Sequence, residues 1–123
     1  MQPRLAILIL TYNEEKNIGP CMDSAAFADE IVVVDSGSTD QTAAIVAEKG
    51  GKVVVHPMTE GFAGQRNFAL TQTQAEWVLF LDADERLAPE VAAEVRRIME
   101  RGDAFAYEIL RKNIVFGQPV FHG

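Results

Sequence analysis

Four short apolar runs punctuate the chain: Leu5 to Leu10, Ile31 to Val34, Val53 to Val55 and Trp77 to Leu81. Each is too short for a helix, rich in β-branched or large apolar residues, and flanked by polar or turn residues. That pattern predicts strands buried on both faces, as in a parallel sheet. Between the second and third runs, Ser38-Thr39-Asp40-Gln41 has capping-box spacing ahead of Ala43, Ala44, Ile45 and Val46, and Gly50 stands where a helix stops. After the fourth run, Pro89 suits a first helical turn. Val91, Val95, Ile98 and Met99 then recur at helical spacing, and Gly102 closes the helix. A further strand is predicted over Ala104 to Leu110, and a less regular extended piece over Ile114 to Phe121, interrupted by Gly117 and Pro119.

Strand and helix in alternation predict an α/β fold: a parallel or mixed sheet with helices on both faces, whose ligands bind beyond the carboxyl ends of the strands. The residues at the end of each run are therefore the candidates for chemistry. Thr11-Tyr12-Asn13 succeeds the first run, Asp35-Ser36-Gly37 the second, His56 the third and Asp82-Ala83-Asp84 the fourth.

Composition narrows the function classes. The chain has 123 residues, 48% hydrophobic and 24% charged, which is ordinary for one globular domain. Its 18 acidic and 11 basic residues give a net charge of -7, which disfavours general adhesion to nucleic acid or anionic lipid. No apolar run approaches the roughly 20 residues that span a bilayer, and no leader-like segment is read at the start, so no export or membrane-spanning segment is expected. The single cysteine, Cys21, excludes an internal disulfide, fits a reducing compartment and reads as structural.

The stretch "LFLDADERL", Leu79 to Leu87, drives a buried strand into carboxylates. Side chains at i and i+2 of an extended segment share a side about 6 to 7 Å apart, so Asp82 and Asp84 can address one ligand together. Their mutual repulsion is relieved by protonation, a basic partner or a divalent cation, and hard oxygen donors suit Mg²⁺ or Mn²⁺. The alternative is that the acids solvate a strand end and favour the positive end of the next helix, a role that suits Glu85, paired with Arg86. Asp35 has a comparable alternative as the turn-forming residue of "DSGSTD", as do Asn13 and Glu14 as polar residues opening a helix.

Taken in order, "LILTYNEEKNI", "IVVVDSGSTDQT", "GFAGQRNFAL" and "WVLFLDADERL" resemble the signature segments of family 2 glycosyltransferases, across Ala6 to about Pro89. Within that family, "VDSGSTD", "GFAGQRNFAL" and the "RKN...F...HG" ending most resemble the bacterial branch that includes lipopolysaccharide core β-glucosyltransferases. The resemblance implies a GT-A fold, Rossmann-like and mostly parallel, over a single nucleotide-sugar-binding domain, 1–123. The family's usual length implies a donor half that stops before the acceptor-binding part. It implies inverting transfer of a sugar, glucose in that branch, from a nucleotide diphosphate donor, a UDP-sugar first among them, to a glycan or lipid-linked glycan acceptor. The implied setting is cytoplasmic, at the inner face of the bacterial inner membrane. No residue pattern bears on oligomeric state.

By matching positions, Thr11, Tyr12, Asn13, Asp35, Ser36, Arg66 and Asp82 would bind the donor. Asp84 would ligate a divalent cation, Mn²⁺ or Mg²⁺, with Asp82 as a second ligand or a contact to ribose or the metal's water. The plain reading of "QRNFAL" is a helix with Phe68 and Leu70 in the core and Arg66 and Asn67 solvated. Ser36 stands where many family members carry a second acid that reads the base, which weakens the expectation of uridine. A catalytic base is expected outside this chain; His56, Glu108 and His122 fall at no recognised base position. A catalytically silent donor domain is the main alternative. A sugar nucleotidyltransferase lacks its Gly-rich basic loop in "TYNEEKN", and a phosphoacceptor module, with Lys52 or Lys112 as its cation, lacks the acidic pair after the first strand.

Overall fold

The computed structural model describes residues 4–101 together with the backbone of residues 107–109 and 113–117. Strands β1 (Leu5–Thr11), β2 (Glu30–Asp35), β3 (Lys52–Val55) and β4 (Trp77–Asp82) match the four apolar runs and extend them by one or two residues. Helices α1 (Ile18–Ser24), α2 (Thr42–Glu48), α3 (Gly61–Leu70) and α4 (Pro89–Arg101) alternate with them, and β5 (Tyr107–Ile109) and β6 (Asn113–Gly117) come last. The predicted strand at Ala104 to Leu110 is thus found over 107–109 and the extended piece over 113–117; the remainder of both lies outside the described residues.

The sheet runs β3-β2-β1-β4-β6-β5. Its first four strands are mutually parallel, and β6 joins β4 antiparallel, with β5 antiparallel to β6. The sheet is therefore mixed, with its parallel part leading. Because side chains alternate across a strand, each strand feeds two cores. Leu5, Ile7, Ile9, Val33, Leu79 and Leu81 pack with Ile18, Cys21 and Met22 of α1, Val46 of α2 and Val91, Val95 and Ile98 of α4. Ala6, Leu8, Val32, Val34, Val78 and Phe80 pack on the opposite face against Ala69, Phe68 and Leu70 of α3. Helices on both faces are what the buried runs predict, and each fully buried Ile, Leu or Val contributes about 1.5–3 kcal/mol.

Local chemistry sets the helix ends. Gly50 takes φ +84 and donates its N–H to the Ala47 carbonyl, ending α2 as predicted. The capping box does not form. The Ser38 hydroxyl is drawn back to Asp35 instead, and Asp40 accepts from the Thr42 N–H and hydroxyl at the start of α2. Burial's upward push on Asp40 is outweighed by those bonds from Thr42 and one from the Glu15 N–H, so its pKa is lowered.

Cys21 is buried under the end of β4, where its thiol donates to the Asp82 carbonyl at 3.5 Å. Burial pushes its pKa from 9.0 up to about 12, against Arg86 and with help from Glu85, Asp84 and Asp82. The folded state thus keeps a proton that the unfolded chain releases near pH 9. Stability from this group is complete below that pH and drains away toward pH 12. The melting temperature of the native chain should therefore fall more steeply than that of Cys21→Ala between about pH 9 and 11, and an alkylating reagent at about pH 8 should label Cys21 only as the chain unfolds. Rapid labelling of the folded protein would contradict the burial.

Candidate functional site

Strand register brings the predicted endings to one rim. Thr11 lies opposite Asp35, Leu10 opposite Asp82, and Asp35 opposite Val55. Above the rim opens a cleft of about 350 Å³ whose lining includes Thr11, Tyr12, Glu14, Ser36, Met58, Phe62, Gln65, Asp82 and Asp84. A hollow of similar size, about 380 Å³, lies at the other end of β2 and β3 and is lined by Glu30, Lys49 and Lys52. Lys49 there is paired with Asp23, and Lys52 bonds the Gln72 carbonyl, so its charged groups are already engaged.

Of the expected donor residues, Thr11, Tyr12, Ser36 and Asp82 meet in the rim cleft together with Asp84. Asn13, Asp35 and Arg66 are outside its lining. Asn13 takes φ +51, accepts from the Thr39 N–H at 2.8 Å and donates its own N–H to the Ser38 hydroxyl at 2.7 Å. It locks the β1 exit to the loop after β2, a left-handed position that asparagine tolerates. Asp35 is 1% exposed and accepts from the N–H groups of Gly37 and Ser38 and from the Ser38 hydroxyl. Its turn-forming role is thus realised directly. Arg66 is exposed on α3 with its guanidinium 5.2 Å from the Phe80 ring centroid, a cation–π contact. Phe68 and Leu70 pack on the core, as the plain helical reading of that segment has it.

Asp82 ends β4, but Ala83 and Asp84 form a turn rather than continuing the extended strand. The two carboxylates still share the cleft because Glu85 closes the turn. Its N–H donates to the Asp82 carbonyl at 2.9 Å, and its carboxylate accepts from the Asp82 N–H at 2.9 Å. Glu85 therefore does not decorate a helix start, since α4 begins at Pro89. Arg86 does not pair with the Glu85 carboxylate; it reaches that residue's carbonyl oxygen and the Asn17 side chain. With Cys21 on the Asp82 carbonyl and the Ser24 hydroxyl on the Leu87 N–H, α1 braces the whole turn. Glu85→Ala should weaken cation-dependent ligand binding about tenfold, as loss of an orienting partner commonly does. Glu85→Gln, which keeps an acceptor oxygen, should stay near the native value in the same titration. Equal losses in both variants would show that charge, not the turn, matters.

Among the described residues the lining contains Glu14, Asp82 and Asp84 but neither lysine nor arginine. An anion could enter only with a cation beside it. Asp82 and Asp84 are exposed hard oxygen donors in the same lining, a donor type that fits Mg²⁺ or Mn²⁺. Among the described residues no group of three or more His, Cys, Asp or Glu could hold a metal ion, so two carboxylates leave coordination positions for water or ligand oxygens.

Sequence reasoning missed Glu14, Met58, Phe62 and Gln65 as cleft residues. The α3 signal was present: Phe62, Gln65 and Ala69 stand at i, i+3 and i+7 and share one face. That face runs from an aromatic 70% exposed at the cleft, through a buried amide, to the core.

The sequence profile of "Glycosyl transferase family 2" matches residues 6–122. An uncharacterized glycosyltransferase of Rickettsia bellii is 42% identical over 96 residues, covering 77% of this chain and 32% of its own length. The lipopolysaccharide core biosynthesis glycosyltransferase LpsC of Rhizobium meliloti is 35% identical over 118 residues, 92% of this chain and 44% of that protein. Among solved structures, Staphylococcus aureus TarS superposes with TM-score 0.68 at 32% identity, over 84% of this chain and 20% of that one. Glucosyl-3-phosphoglycerate synthase of Mycobacterium tuberculosis, in complex with Mn²⁺, UDP and glucosyl-3-phosphoglycerate, gives TM-score 0.60 at 26% identity, over 68% of this chain and 36% of that one. The chain thus spans less than half the length of these relatives. The neighbours bear out the expected α/β GT-A fold.

Proposed function

The chain belongs to glycosyl transferase family 2, and from that premise we propose that it binds the nucleotide-sugar donor of a transferase that moves a sugar onto an acceptor hydroxyl. The observation that carries the reading is the cleft itself. Its lining combines Tyr12, Met58 and Phe62 with neutral Thr11, Ser36 and Gln65 and the acids Asp82, Asp84 and Glu14, and among the described residues it has no lysine or arginine. A nucleoside diphosphate matches this division, its base against the apolar side and its phosphates toward the acids.

In this reading Asp84, with Asp82, holds a divalent cation, Mn²⁺ or Mg²⁺. When bound, that cation supplies stabilisation of the charge that grows on the departing diphosphate. The chain's own residues bind and orient: Thr11, Tyr12 and Ser36 receive the nucleoside, while Asp35 and Asn13 fix the loops that carry them. Arg66, on α3 beside the rim, is assigned to the phosphates' outer side. UDP is the preferred carrier because the similar mycobacterial synthase is complexed with UDP and Mn²⁺. Inversion, glucose as the transferred sugar and a glycan or lipid-linked glycan acceptor in envelope synthesis complete the proposal, supported by the likeness to LpsC. A cytoplasmic site at the inner membrane face fits such an acceptor; among the described residues no helix is long and apolar enough to cross a membrane. His56 does not line the cleft, Glu108 falls on β5 and His122 lies outside the described residues, so the base is assigned to the acceptor-binding portion of the family architecture.

The test is calorimetric titration of the chain with UDP, CDP, GDP and ADP, with and without Mn²⁺. Binding of a nucleoside diphosphate only in the presence of the cation is expected. Cation-independent binding, or none, would overturn the reading.

A further inference from the structure

We infer that Gln65, held in place by His56, reads the edge of the nucleobase in this cleft, an inference that rests on the donor-binding reading above. Gln65 is 2% exposed and yet lines the cleft, so its amide is a buried polar group at a ligand wall. Its Nε2 donates to the His56 carbonyl at 2.7 Å, and its Oε1 faces His56 Nδ1 at 2.9 Å. A carbonyl only accepts, so the amide nitrogen must face it and the amide oxygen must face the ring. Nδ1 therefore carries the hydrogen, and the orientation of the amide is fixed rather than free to flip. His56 is itself held: its backbone N–H donates to the Asp35 carbonyl at 2.8 Å, and its ring stacks on Phe68 at 3.7 Å and 13°.

That clamp uses two of the four hydrogen-bonding positions of the amide, leaving one N–H and one lone pair. A second, independent observation points to a ligand. The Thr11 hydroxyl, in a residue 7% exposed on the same lining, has no hydrogen-bond partner. Leaving such a group unpaired is costly unless something else satisfies it. Around these two neutral polar groups stand Tyr12, Met58 and Phe62, which are 56%, 42% and 70% exposed although apolar. A lining that mixes exposed apolar side chains with neutral polar groups suits a flat heterocycle whose faces are apolar and whose edge carries N–H and C=O groups. The pairing edges of uracil and of cytosine are both such edges, because an amide can donate to and accept from either. Ser36, a neutral side chain already donating to the Thr11 carbonyl at 3.3 Å, leaves Gln65 and the Thr11 hydroxyl as the groups able both to donate and to accept there.

The test compares binding of UDP and of pyrophosphate, which lacks the base, in Mn²⁺ to the native chain, Gln65→Met and His56→Phe, with thermal melting of each. The native chain should favour UDP. Gln65→Met should lose about tenfold in UDP affinity, the size expected when one buried hydrogen-bonding group is deleted, and the ratio of UDP to pyrophosphate affinity should fall by the same factor. His56→Phe keeps the stacking surface but frees the amide, and should shift the same ratio less far; it also carries the test where Gln65→Met does not fold. An unchanged ratio in either folded variant, or equal loss for both ligands in step with a lower melting temperature, would overturn the inference while leaving donor binding intact. Absence of UDP binding by the native chain would instead remove the reading on which it rests.

Discussion

Asp84→Ala is expected to lower the affinity for UDP in Mn²⁺ by about 100-fold or more, beyond the roughly 10–100-fold seen when only an orienting partner of a metal ligand is lost. The cause is electrostatic. The lining holds Asp82, Asp84 and Glu14 and, among the described residues, no lysine or arginine, so a diphosphate approaching these acids is repelled unless a divalent cation sits between. Removing one of the two carboxylates that face that position halves the protein's share of the coordination shell. Folding should not suffer, because Asp84 is exposed and belongs to a group of like charges whose repulsion its loss relieves. Calorimetry should therefore show lost binding beside an unchanged or raised melting temperature. UDP binding that persists in Asp84→Ala, or that never needed the cation, would remove the metal role.

Asp35→Ala should do the opposite and act first on stability. Its buried carboxylate accepts three hydrogen bonds, from the N–H groups of Gly37 and Ser38 and from the Ser38 hydroxyl. Bonds to a charged acceptor contribute about 1.5–3 kcal/mol each, and water can reach the released donors beside exposed Gly37. The net loss is expected near about 2–4 kcal/mol, read as a lower urea midpoint. The damage should spread to the site, because the Ser38 hydroxyl freed by this change also receives the Asn13 N–H. A variant of native stability that had lost nucleotide binding would show Asp35 to be a ligand group and not a turn former.

What could be read from sequence tracked the strength of the physical signal. The runs at Leu5, Ile31, Val53 and Trp77 are legible because strands in a parallel sheet must be apolar on both faces. Helix α4 is legible because Val91, Val95 and Ile98 keep one stripe buried. Helix α1 is not: it has seven residues, carries Pro20 in its first turn, and has no side-chain cap bond, so its helicity comes from packing Ile18, Cys21 and Met22 on the sheet. The capping box at Ser38 failed because the Ser38 hydroxyl oxygen, which would have to accept from the Gln41 N–H, accepts from the Asn13 N–H instead, and the Gln41 N–H goes to the Glu15 carboxylate at 3.4 Å. The acidic pair was found, but its geometry was not, since the turn at Ala83 depends on the reciprocal bonds of Glu85. Gln65 gave little sign of itself, because its partner His56 is fixed by sheet register and not by nearness in sequence.

The order of the strands has a kinetic consequence. β1 lies between β2 and β4, pairing Ala6 with Glu30 on one side and Leu5 with Trp77 on the other. During synthesis β1, β2 and β3 can zip together early, whereas the other flank of β1 must wait for residues from Trp77 onward. Until then the apolar edge of Leu5 to Ile9 stands open, a template for wrong pairing between chains. Refolding at rising protein concentration should accordingly lose yield through association of this half-formed sheet, and a chain cut before Trp77 should aggregate instead of folding.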